Sequence, residues 1–199
     1  MNDNRLKYLS NTMLLANFIS TLFYSLSYPY IYAETIKVVP KFYISIEQIL
    51  TCISIIIFCK LWNKCSDKLF SHYMTILIAE LVADAYLFAD VIIRNNLKSY
   101  FMLNVIIFAI ITRNVCCGVT KLRAKVNPTE KLRERFDNNL NIVDSTATLI
   151  GAGTAMICPF SIKTLFVFAL IGNISDNVFY IYIYSKAKGS ERVGAESNS

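Results

Sequence analysis

The chain is short of charge and of histidine. Asp, Glu, Lys and Arg make up 17% of its 199 residues, and His72 is its single histidine. A disordered chain needs low hydrophobicity and high charge, and a hydrophobic share of 55% excludes that class. With one histidine there is no His-containing catalytic triad and no His/Cys cluster at metal-ligand spacing. The glycines, six in all, form no phosphate-cradling loop. The chain is therefore not expected to be an enzyme, to use a cofactor or to hold a metal. No small-residue cleavage site follows the first apolar run, which is too long for a signal-peptide core and reads as a retained span.

What is present is hydrophobicity in long runs. Mean hydropathy is +0.45, and apolar stretches with polar borders lie at residues 11–33, 42–59, 73–93, 99–118, 139–158 and 164–184. A helix crossing a hydrocarbon core of about 30 Å needs about 20 residues. Inside lipid every backbone group must be satisfied within its own segment, so helices are the expected form. The runs lack the alternation of a transmembrane barrel. The expected fold is all-α: a polytopic membrane protein of six transmembrane helices over residues 1–184, with a flexible cytoplasmic tail from 185 to 199. Cys52, Cys59, Cys116, Cys117 and Cys158 lie in or beside apolar runs, and Cys65 lies in a basic loop. These read as reduced thiols acting as small hydrophobes.

The formal charge is +6. With the N-terminus inside, 14 of the 20 Lys and Arg residues fall on inner segments, five on outer ones, and Arg113 alone within a span. That asymmetry predicts a cell (inner or plasma) membrane protein with both termini cytoplasmic. It argues against a nucleic-acid surface, because spans separate the charges. The outer connections are short. The inner connection from Val119 to Asn138 reads as long and charged.

Three places resemble a known family. The connection between the second and third runs reads Asn63-Lys64-Cys65-Ser66-Asp67-Lys68-Leu69-Phe70-Ser71-His72. It is similar to the pattern G-x-x-x-D-[RK]-x-G-[RK]-[RK], with the Asp-Lys centre kept and both glycines replaced. Arg113 precedes Gly118 on the fourth run. The approach to the fifth reads Asn127-Pro128-Thr129-Glu130-Lys131-Leu132-Arg133-Glu134-Arg135-Phe136, followed by Gly151 and Gly153. In this the chain resembles the N-terminal six-helix half of a major facilitator superfamily transporter. The resemblance implies a half-transporter-like bundle, with Asp67 and Lys68 helping to gate the inner side. It also implies a partner, either a second copy or a second six-helix half, since that family has two halves.

Charges inside spans cost several kcal/mol and usually face protein or water. Glu47 and Asp90 fall near outer ends, where they can reach headgroups. Glu80, Arg113, Asp144 and Asp176 lie on four different spans, about 8–12 Å from the inner face at 1.5 Å per residue. Asp84 is one turn deeper on the Glu80 face. Glu80, Asp84, Arg113, Asp144 and Asp176 are the candidate substrate or ion pathway, and Arg113 is expected to pair with Asp144 or Glu80. Gly151 and Gly153 are expected to allow close helix packing, and Pro29 to kink the first span. Tyr28, Tyr30 and Tyr32 suit an outer aromatic belt, and Tyr180, Tyr182 and Tyr184 an inner one.

Two uses of the charged layer stay open: a fixed ion-pair network holding helices together, or a site for a proton or a polar small-molecule substrate. The first functional expectation is a secondary-transporter-like protein of half size, possibly proton-coupled. The alternatives are a non-transporting membrane protein (a truncated-transporter relic, an immunity-type factor or a regulatory partner) and a substrate-capture subunit of a vitamin importer.

Overall fold

Pro40, Pro128 and Pro159 punctuate the chain, and helices start or stop around each. The computed structural model describes residues 3–64, 72–94, 97, 98, 100, 103 and 107–196. Regular structure among the described residues is helical: α1 (Asp3–Val38), α2 (Lys41–Lys64), α3 (Tyr73–Arg94), α4 (Arg113–Val126), α5 (Glu130–Ile157) and α6 (Ile162–Glu196). A π-helical turn, Ile107–Thr112, leads directly into α4. The residue before a proline is pushed out of the helical region, which ends α1 before Val39-Pro40 and α5 before Cys158-Pro159. Thr129 caps α5 by accepting from the Leu132 N–H at 3.3 Å. Ser161 does the same for Thr164 at 3.2 Å at the start of α6. The all-α expectation holds.

α1 is the central helix, packed on both α5 and α6; α3 lies against α6, and α2 against α4 and its π-turn. Directions follow from the contacts. Along α1 and α6 the paired residues run in opposite order: Arg5 with Lys186, Tyr8 with Tyr182, Tyr24 with Asn173. Along α1 and α5 they run in the same order: Thr21 with Asp144, Ser25 with Thr148, Tyr30 with Ala155. α3 opposes α6, with Tyr73 beside Tyr184 and Phe88 beside Phe166. The odd-numbered helices among these thus share one direction and α6 runs the other way.

Small residues set the α1–α5 spacing. A Cβ built at Gly151 would lie 2.5 Å from the Leu22 carbonyl oxygen, whereas nothing lies within 4 Å of one at Gly153. The expected close packing is therefore found at Gly151 and not at Gly153. Pro29 sits inside α1, which continues through it to Val38.

Three helices are long and apolar enough to cross a membrane, over Phe42–Leu61, Glu130–Ile157 and Ile162–Ala187. The exterior is apolar: Leu149 is 75% exposed, Met156 and Ile157 are 82%, and α2 presents Ile49, Ile53, Ile56 and Ile57 outward. Glu80 and Asp84 are only 5% and 7% exposed. Carboxylates inside and large aliphatic side chains outside invert the order of a soluble protein, and this is the surface of a membrane protein.

One sequence expectation gives way here. The long inner connection from Val119 to Asn138 is mostly helix, because α4 runs to Val126 and α5 begins at Glu130. Hydropathy marks where apolar character stops, and a helix continues past that point when its residues are good formers such as Lys, Leu, Arg and Ala. α6 extends to Glu196, into the stretch read as a tail from residue 185. Ala187 is buried there and Arg5 donates to the Lys186 carbonyl at 2.6 Å.

Candidate functional site

The core is divided. One apolar cluster gathers Leu9, Met13, Leu77, Leu122, Val126, Phe136 and Ile183, and includes Tyr73 and Tyr184. Another gathers Leu26, Ile31, Leu87, Val91 and Leu165 around the rings of Phe88, Tyr100 and Phe166. Tyr100 and Phe166 meet edge to face with centroids 4.9 Å apart. Between the two clusters in sequence register, polar residues from four helices face one another around a cavity of about 530 Å³.

Each helix contributes a stripe at helical spacing. α1 supplies Asn17, Ser20, Thr21, Tyr24 and Tyr28, α3 supplies Glu80 and Asp84, and α6 supplies Asn173, Asp176, Asn177 and Tyr180. The fourth side comes from Thr112 and Arg113, where the π-turn meets α4, and from Cys116, Thr120 and Arg123 further along it. A π-turn inserts one extra residue per turn and is often found where a helix must re-aim a side chain at a functional site. Here it precedes Arg113.

The lining is tied together at its edges. Asn17 donates to the Tyr180 hydroxyl at 3.1 Å, and Arg123 donates to the Asn17 side-chain oxygen Oδ1 at 3.0 Å. The Arg123 guanidinium also lies over the Phe136 ring, 5.8 Å from its centroid, so this one side chain links α4 to α1 and α5. Tyr24 donates to the Asn173 side chain, and Asn177 donates to the Asn173 carbonyl at 3.2 Å. Thr112 and Asn177 lie at hydrogen-bonding positions beside Glu80, and Ser20 beside Asp176.

Comparison with protein-family models, with curated proteins and with solved structures finds no match.

Of the charged residues singled out in the sequence, Glu80, Asp84, Arg113 and Asp176 line the one cavity. Asp144 does not. It accepts a hydrogen bond at 3.1 Å from Thr21, which does line the cavity. The pairing expected of Arg113 is corrected with it: among the described residues no ion pair joins Arg113 to Asp144 or Glu80. The carboxylate on which Arg113 acts electrostatically is Glu47, on the neighbouring α2. Asp90 is paired with Arg94 one turn on, at 3.3 Å. Asp67 and Lys68 lie outside the described residues. No group of three His, Cys, Asp or Glu side chains able to hold a metal ion occurs among the described residues.

The aromatic belts are half right. Tyr30, Tyr32 and Tyr182 are exposed, but Tyr180 and Tyr184 are buried, and Tyr28 lines the cavity. Residues two apart on a helix face nearly opposite ways, so a Y-x-Y-x-Y run cannot place every ring on one side. Sequence reasoning also missed Asn17, Tyr24, Asn173, Asn177 and Arg123. The signal was available in the recurrence of polar side chains at intervals of three or four along α1 and α6.

Proposed function

We propose that the protein is a multi-pass carrier of a polar small molecule, with six membrane-spanning helices per chain and both termini on the cytoplasmic side. The observation that carries this reading is the cavity of about 530 Å³, lined by carboxylates, amides and arginines, in a bundle whose exterior is apolar. Polar and ionisable groups are expensive at membrane depth and usually mark a solute or ion pathway. The volume falls in the range of small-molecule sites, about 300–1,000 Å³. The shared direction of α1, α3 and α5, with α6 opposed, suits successive crossings, and the excess of Lys and Arg on alternate connections suits inner termini.

The mechanism that fits is that of a secondary transporter of the major facilitator type, reduced to a six-helix unit. Alternating access by rocking needs two bundles around a shared site. The second is supplied by another copy of the chain or by a separate six-helix partner. Glu80 and Asp84 stand one helical turn apart on the cavity wall, where carboxylates can exchange protons with water and couple a proton to solute movement.

Uptake into vesicles holding the purified protein, measured with and without a pH gradient across a panel of labelled small solutes, tests the reading. Saturable uptake that Arg113→Leu abolishes, while the variant remains folded and inserted, is the expected result. A wild-type protein that is folded and inserted but moves no solute, alone or with its membrane partner, overturns it and leaves a non-transporting role.

A further inference from the structure

Carboxyl groups outnumber guanidinium groups in the cavity lining. Two arginines and three carboxylates line it. Arg123 is engaged by Asn17 and Phe136 and acts electrostatically on Asp176. Arg113 acts on Glu47, outside the cavity. Glu80 and Asp84 remain, on the same face of α3, with neutral groups beside Glu80. Asp84 is 7% exposed and lines the cavity, and among the described residues it has no hydrogen-bond or ion-pair partner. A carboxylate withdrawn from water without a partner is unfavourable, and either a proton or a cation at its oxygens relieves that cost.

The rest of the wall decides which cation. An inorganic divalent ion is usually held by several carboxylates or imidazoles, and no group of three His, Cys, Asp or Glu side chains able to hold one occurs among the described residues. The cavity is also much larger than an ion. Tyr24 and Tyr28 also line the cavity, their rings packed edge to face with centroids 5.1 Å apart. Aromatic faces attract organic ammonium groups, and their apolar area accepts a hydrocarbon body.

We infer that the cavity binds an organic monocation, an amine carried on an aromatic or aliphatic body, with its ammonium group at Asp84 and Glu80 and its body against Tyr24 and Tyr28. This rests on the carrier reading for its biological use, but the binding is testable without transport. Three probes of one shape differ only in charge: phenethylammonium, 2-phenylethanol and phenylacetate. Each is titrated calorimetrically into the full-length protein in lipid nanodiscs. Phenethylammonium is expected to bind saturably and phenylacetate not at all. Asp84→Asn should weaken phenethylammonium by about tenfold or more, the loss typical of a charged hydrogen bond, and Glu80→Gln should weaken it too. Asp144→Asn, outside the cavity, should leave it unchanged. Helix content and monodispersity of each variant establish that it is folded. Equal binding of the three probes, preference for phenylacetate, or full affinity in folded Asp84→Asn overturns the inference. So does absence of binding by all three, and vesicle uptake of another solute would then leave the carrier reading standing. Phenethylammonium binding that needs Asp84, in a protein that moves nothing, sinks the carrier reading alone.

Discussion

The Thr21 hydroxyl donates to Asp144 at 3.1 Å across the contact between α1 and α5. Thr21 also lines the cavity, whose lining does not include Asp144. Asp144 therefore belongs to the seam that also holds Ser25 against Thr148 and Tyr30 against the Ala155 carbonyl. Interhelical hydrogen bonds in membranes contribute about 0.6 kcal/mol on average and up to about 1.7. Thr21→Val is expected to lower stability by about 1 kcal/mol, read from unfolding in a denaturing-detergent titration. Asp144→Asn, whose amide oxygen still accepts, should retain both stability and uptake. Loss of uptake in a folded Asp144→Asn protein would place Asp144 in the pathway.

Gly151 and Gly153 are two residues apart but face different surroundings. A side chain at Gly151 drives into the α1 backbone at Leu22, while one at Gly153 meets open space. Overpacking costs about 1–3 kcal/mol, and backbone cannot yield as a side-chain tip can. Gly151→Leu is expected to lower the unfolding temperature in detergent sharply. Gly153→Leu should stay within about 0.5 kcal/mol of the parent. Equal effects would show that the helices cross elsewhere.

Charge within an apolar run was the most legible signal of the site, because such residues are rare and nearly always face inward. It located Glu80, Asp84, Arg113 and Asp176. It did not set Asp144 apart, which bonds Thr21 and is not in the lining, because depth along a helix says nothing about which neighbour that helix turns toward. Asn17, Tyr24, Asn173 and Asn177 were illegible to hydropathy, since neutral polar residues do not break an apolar run; their spacing carried the information. Arg123 was lost to a boundary: the apolar run stops near Gly118, yet α4 continues to Val126 and its long side chain reaches back to Asn17. The helical class was legible throughout, because apolar runs of span length leave few alternatives.

Cys59 on α2 and Cys117 on α4 place their sulfurs 3.2 Å apart. This contact reports on how α2, the most peripheral of the helices, docks against α4. A mild oxidant such as copper phenanthroline is expected to join the two within one chain, read by mass spectrometry as a peptide pair linking residues 59 and 117. Cys59→Ser should abolish that species. Crosslinks from Cys59 to other cysteines instead would mean that α2 sits in a different rotation or register.

Orientation is the remaining inference with a direct physical readout. Fourteen of the 20 basic side chains fall on segments assigned to the cytoplasm, and a Lys/Arg excess of this kind fixes topology during insertion. Lys37, near the end of α1, and Lys163, at the start of α6, are assigned outside; Lys131, in the first turn of α5, is assigned inside. In a cysteine-free background, Lys37→Cys and Lys163→Cys are expected to react with a membrane-impermeant maleimide on intact cells. Lys131→Cys should react only after permeabilisation. The reversed pattern would invert the topology. Outside labelling of Lys131→Cys and Lys163→Cys together would mean that α5 does not cross, since these positions flank it, and the six-crossing count would fall with it.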